Sequence, residues 1–105
     1  MLGATHEETL HSKHNYAITL EKLKRYKEAE KVNLEVIQGR EQLLGPTHQD
    51  TLATKCCYAF TLQKLGRHPE AGKIYSEVIE DSQTSLPKDN YLLKFAKDNL
   101  RQVLP

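Results

Sequence analysis

Residues 44–55 read LGPTHQDTLATK, and residues 2–13 read LGATHEETLHSK. The two phrases lie 42 positions apart, and the likeness extends well beyond them. When the chain is slid along itself by that distance, about 20 of the 42 residues in 2–43 coincide with 44–85 without a gap. Chance would supply about two or three such matches. A period of this length marks a structural unit used more than once.

The coinciding residues have a helical rhythm. Leu10/Leu52, Tyr16/Tyr58, Ala17/Ala59, Leu20/Leu62 and Leu23/Leu65 fall on one apolar helical face. After a short break, Ala29/Ala71, Val32/Ile74, Val36/Val78 and Ile37/Ile79 form a second amphipathic stripe. Each unit is therefore two helices joined by a tight turn. Thr5 with Glu8, and Thr47 with Asp50, have the spacing of a capping box at a helix start. Gly66 falls where the first helix of unit two ends in a left-handed cap, and Pro69 where the next helix begins. Unit one has Lys24 in place of that glycine, which costs about 1 kcal/mol if the same geometry is kept. The punctuation predicts helices at 7–23, 26–43, 49–65, 68–84 and 90–103.

The last twenty residues keep register: Leu86 matches Leu44, Lys97 matches Lys55, Asn99 matches Asn15, and Leu100 takes the tyrosine position. They predict a half unit, with Arg101 replacing Ala17 and Ala59 because the far face of a terminal helix meets water. The expected organisation is one array over 1–105, with units at 2–43 and 44–85 and a capping helix within 86–105.

Composition narrows the function. Fifteen basic residues against fourteen acidic ones give a formal charge of +1, so no global field draws nucleic acid or an anionic membrane. The run EKLKRYKEAEK at 21–31 alternates sign and reads as a solvated turn and helix face. No stretch approaches the ~20 apolar residues of a membrane span, and the first residues lack a secretory pattern. Cys56 and Cys57 are the sole cysteines; adjacent on a helix, they point about 100° apart and fit a reducing, cytoplasmic setting. His11 and His14 have helical metal-ligand spacing, but a zinc site wants about four convergent ligands, so no metal and no cofactor are expected. The recurrence of His6 as His48 in the loop points to a structural task at the helix start. No phosphate loop, serine elbow or paired acidic motif is present, and the expectation is a non-enzyme.

The residues Tyr16-Ala17 with Leu20, then Arg25-Tyr26 through Ala29, and in unit two Tyr58-Ala59, Leu62, Gly66-Arg67, Ala71 and Tyr75, resemble the tetratricopeptide repeat. The 42-residue unit and its LGPTHQDT loop resemble the kinesin light chain subclass of that repeat, whose loop reads LGxxHPDT and leads into a helix containing NNLA. Here that helix reads HNYA in unit one and CCYA in unit two. The resemblance implies an all-α, right-handed α-solenoid of two and a half repeats and five helices. It implies that the first helices line a concave groove that binds peptide segments of other proteins, in this subclass aromatic-acidic ones.

Helical geometry gives its own reading of that groove. With Leu10, Tyr16, Ala17 and Leu20 facing inward, the adjoining side of the first helix carries His11, His14, Asn15, Ile18 and Lys22. By register, unit two offers Ala53, Cys56, Cys57, Phe60 and Lys64, and the half unit offers Phe95, Asp98, Asn99 and Gln102. The resemblance gives Asn15 and Asn99 the task of holding a peptide backbone, a ladder that Cys57 interrupts. Phe60 and Phe95 equally suit packing between neighbouring helices, and Lys22 and Lys64 suit the helix dipole. Apolar anchors beside cations fit an extended peptide with an aromatic or hydrophobic residue flanked by acids. The expected partner is thus a protein or peptide, with no nucleic acid and no membrane, and the chain itself a monomer or weakly self-associating. The alternatives are a terminal segment of a longer array, or a homo-oligomerisation module with no peptide ligand.

Overall fold

The computed structural model describes residues 7–85, 87 and 90–104, with the side chains of 84 and 85 excepted. Five helices follow one another: α1 (Glu7–Lys22), α2 (Tyr26–Leu44), α3 (Gln49–Lys64), α4 (His68–Ser85) and α5 (Tyr91–Val103). Each packs on its neighbours in sequence, while α3 also meets α1 and α5. That pattern stacks helix pairs in a row, with the first helix of each pair on a shared side.

Local chemistry fixes the ends. The turn after α1 puts Lys24 at φ 62°, and its twin Gly66 after α3 stands at φ 80°. Both turns close the same way: Arg25 N donates to Leu20 O at 2.8 Å, and Arg67 N to Leu62 O at 2.9 Å. The left-handed geometry expected at Gly66 is therefore kept where unit one lacks the glycine. Pro69 sits in the first turn of α4, where a missing amide hydrogen forfeits no helical bond. At α3 the expected box of Thr47 and Asp50 is replaced. The cap is His48, whose Nδ1 accepts from Asp50 N at 3.0 Å. An imidazole nitrogen one residue later reaches the same orphan amides that a threonine hydroxyl would have served. Thr5 and His6, the matching residues ahead of α1, lie outside the described residues, as does Leu86. Asn90 caps α5 by accepting from Leu92 N at 2.8 Å.

The core uses the repeated positions. Leu10, Ala17 and Leu20 of α1, and Leu52, Ala59 and Leu62 of α3, are buried, as are Ala29, Val36, Ala71 and Val78 of the second helices. The repeated alanines Ala17, Ala29, Ala59 and Ala71 are fully buried. Burying each large side chain stabilises the stack by about 1.5–3 kcal/mol. Leu92, Leu93, Ala96 and Val103 seat α5 on the second pair, while Phe95 remains 36% exposed and Arg101 faces outward.

Two expectations for α1 are corrected. Tyr16 and Leu23 carry the apolar rhythm but stay 51% and 59% exposed. Their twins Tyr58 and Leu65 are partly covered, because Tyr58 lies beside Leu34 and Ile37 of α2 and Leu65 beside the Lys24–Glu28 turn. The rhythm marks a face that is buried only where a helix pair stands in front of it.

Candidate functional site

On the side shared by the first helices, His14 of α1, Ala53, Cys56 and Cys57 of α3, and Tyr91, Leu92 and Phe95 of α5 line a mostly apolar hollow of about 220 Å³. It spans all three first helices. Register brings them together: His14 and Cys56 are 42 positions apart, and Phe95 is 42 beyond Ala53. Small Ala53 and Cys56 leave the space, and the large rings of Tyr91 and Phe95 wall it on one flank.

The aromatic flank continues along the side. The Phe95 ring lies 6.3 Å from Phe60 at a 50° tilt, and 6.1 Å from the buried Tyr75 in an edge-on contact. Lys64 Nζ stands 5.2 Å from the Phe60 ring centre, a cation held over an aromatic face. The order from hollow to rim is therefore Phe95, Phe60, Lys64. Tyr75 donates its hydroxyl to Gln63 Oε1 at 3.1 Å, which anchors the ring under Phe95.

Electrostatics keep this hollow neutral. Burial holds the His14 imidazole below its ordinary pKa, and the charges of Arg40 and His11 push the same way against Asp50. His14 Nδ1 is buried without a hydrogen-bond partner among the described residues. Burial pushes both Cys56 and Cys57 up to about 12, so at neutral pH they are thiols and poor nucleophiles. Among the described residues, no three His, Cys, Asp or Glu side chains converge as a metal site would require.

The anticipated site residues divide. His14, Cys56 and Phe95 line the hollow, Cys56 as buried floor and not as groove surface, while Phe60 and Lys64 adjoin it through ring contacts. His11 belongs to a second, more polar cleft of about 610 Å³, with Glu7, Glu8, Ser12, Arg40 and Asp50. Asn15 and Lys22 are exposed and Ile18 half-buried on α1, and none of them lines the hollow. Asn99 donates its Nδ2 to Phe95 O at 2.9 Å, so this amide serves its own helix. Tyr91 and Leu92 were not anticipated: they occupy the first turn of α5, where register pairs them with the polar Gln49 and Asp50.

Beneath the rim, the first and second pairs are tied by a small polar network. Thr61 Oγ1 lies 2.5 Å from Glu21 Oε2, and Asn33 Nδ2 lies 3.3 Å from both. Burial raises the Glu21 pKa while the bonds from Thr61 and Asn33 oppose the rise. No helix among the described residues is long and apolar enough to cross a membrane.

Comparison with known proteins fits this geometry. The tetratricopeptide repeat family model matches residues 6–80. A search of curated proteins gives no match. Among solved structures, a putative kinesin light chain from Podosopora anserina with nearly identical TPR-like repeats superposes with a TM-score of 0.79 at 20% identity. The match covers 97% of this chain and 48% of that one, so the chain spans about half the length of the solved array. Stacked helix pairs, a left-handed turn within each pair and a family match over most of the chain lead to one assignment: this chain belongs to the tetratricopeptide repeat family, whose arrays serve as protein-interaction scaffolds, and its fold is that of a kinesin light chain-like array.

Proposed function

We propose that the chain binds an extended peptide segment of a partner protein along the side formed by α1, α3 and α5. One observation carries this reading: a single apolar hollow crosses all three helices and leads through Phe95 and Phe60 to the cation of Lys64. Such a site accepts one aromatic or large aliphatic side chain in the hollow and an acidic neighbour at the rim. His14, Cys56 and Phe95 form the pocket, with Phe60 and Lys64 as its extension. His11, Asn15, Ile18, Lys22 and Asn99 contact the flanks of a longer peptide. On this reading residues 1–105 act as one array, with units 2–43 and 44–85 and a closing half unit 86–105. The chain works in the cytoplasm without catalysis, nucleic acid or a cofactor.

The charge contacts are exposed and contribute about 1 kcal/mol at most, so affinity is about micromolar and weakens with salt. The test titrates a labelled aromatic-acidic peptide against wild type, Phe95→Ala and Lys64→Glu. The expected result is a strong loss for Phe95→Ala and a smaller, salt-dependent loss for Lys64→Glu. Absence of binding to wild type, or binding that ignores both substitutions, overturns the assignment.

A further inference from the structure

We propose that the side formed by the second helices, α2 and α4, holds a docking site for a partner protein segment in which one large aliphatic side chain is flanked by lysine or arginine. The site shares no residue with the peptide groove and stands independently of it.

The space arises from the packing. Both α2 and α4 pack on α3 but not on each other, which leaves a crevice between them. Leu34 and Ile37 of α2, Tyr58 of α3 and Ile74 of α4 wall a hollow of about 180 Å³ there, with Glu41, Lys55 and Glu77 at its rim. Leu34, Ile37 and Glu41 have helical spacing, as do Ile74 and Glu77, so each helix turns one stripe toward the hollow. Leu34 remains 38% exposed, and Tyr58 and Ile74 are half-buried. The volume falls below the ~300–1,000 Å³ of small-molecule pockets and suits a single side chain. Its walls select an apolar one.

The charges at the two ends choose the neighbours of that side chain. Past Ile37 and Ile74 stand Glu41 and Glu77. Lys55 Nζ pairs with Glu41 Oε2 at 3.1 Å, while Glu77 is exposed and has no ion pair among the described residues. One turn before Leu34 and Ile74 stand Glu30 and Glu70, which share the guanidinium of Arg67. Its Nη1 donates to Glu30 Oε2 at 2.6 Å, and its Nε to Glu70 Oε1 at 2.7 Å. Each end therefore holds two carboxylates against one cation. The Tyr58 hydroxyl feels this excess: burial raises its pKa, and Glu30 and Glu70 add to the rise against Arg67.

The occupant follows from charge complementarity. Glu30 and Glu41 are 11 residues apart on α2, a span of about 16 Å, which about five extended residues cover. In an extended segment alternate side chains share a face, so the fitting pattern is cation, any residue, aliphatic residue, any residue, cation. The groove has the opposite sign at its rim, where Lys64 stands over Phe60. The two sides of the array thus sort segments by charge.

The experiment titrates a labelled Gly-Arg-Ser-Leu-Ser-Arg-Gly peptide into the full chain. Saturable binding that weakens with salt is expected. Leu34→Ser and Glu77→Lys, both at exposed positions, should weaken it about tenfold and about fivefold, with melting temperatures confirming that both variants fold. A peptide with serine in place of leucine should not bind, and Phe95→Ala should leave the affinity unchanged, which separates this site from the groove. Absence of saturation at millimolar peptide, undiminished binding by either variant, or equal binding of the serine peptide overturns the proposal. The chain's own Leu23 lies between Lys22 and Lys24. Self-association in sedimentation that Glu77→Lys abolishes would assign the hollow to a second copy and overturn the foreign partner.

Discussion

Lys24 gives the sharpest test of the link between sequence and local structure. It occupies a left-handed turn at φ 62° that its twin, Gly66, occupies at φ 80°. A side chain in that region costs about 1–2 kcal/mol, because Cβ crowds the following carbonyl. Glycine removes the crowding but loses about 0.5–1 kcal/mol through the greater freedom of the unfolded chain. The net for Lys24→Gly is a stabilisation of about 0.5–1 kcal/mol. Lys24 is exposed, with no ion pair among the described residues, so its charge adds little to that balance. The reverse change, Gly66→Lys, should destabilise by a similar amount. No atom lies within 4 Å of a Cβ built at Gly66, so its effect is purely one of backbone. Urea unfolding should show the midpoint moving in opposite directions with an unchanged slope, and a thermal shift of about 4 °C per kcal/mol should accompany it. A destabilised Lys24→Gly, or an unaffected Gly66→Lys, would refute the reasoning that the backbone angle governs both turns.

Two further outcomes follow from the interior. Burial raises the Glu21 pKa, so the protonated form is favoured in the fold and stability declines as pH rises from 4.5 through the raised folded value. Glu21→Gln, which copies Gln63 of the second pair, should flatten that decline; parallel denaturation curves for the two proteins between acidic and neutral pH would contradict the assignment. Ending the chain at residue 85 removes the buried Leu92, Leu93, Ala96 and Val103 and uncovers the second pair, which should lower stability by several kcal/mol at about 1.5–3 for each large side chain. An unchanged melting temperature would make α5 an appendage.

The helices and their pairing were legible because the 42-residue period states each apolar stripe and each turn twice. What the period could not state is which stripe has a neighbour. Tyr16 and Tyr58 hold the same register position, yet burial depends on α2, which stands before only one of them. The site was legible where register alone decides it, as for His14 and Cys56. It was missed at Tyr91 and Leu92, because their register mates Gln49 and Asp50 are polar and marked no apolar position at the start of a first helix. The network of Glu21, Asn33 and Thr61 joins residues 12 and 28 apart, spacings that no helical or repeat period highlights.

Repetition and its lapses therefore carry different information in this chain. Matched positions that keep their residue include Lys55, Thr61 and Arg67, whose side chains bond α2 and join the first pair to the second. A joint must present the same chemistry at every step of a stack, so drift there would break the register of the array. Matched positions that change kind lie on the other side of the same helices: His11, Ala53 and Phe95; His14, Cys56 and Asp98; Asn15, Cys57 and Asn99; Ile18, Phe60 and Gln102. A surface that only held the stack together would gain nothing from such differences. A surface that reads an extended chain needs them, since each helix then meets a different residue of the ligand. The apolar hollow forms where the first of these sets supplies a small side chain and a ring, Ala53 and Phe95, and the second supplies Cys56. The contrast supports the proposal that the variable side reads a peptide, which the Phe95→Ala titration tests.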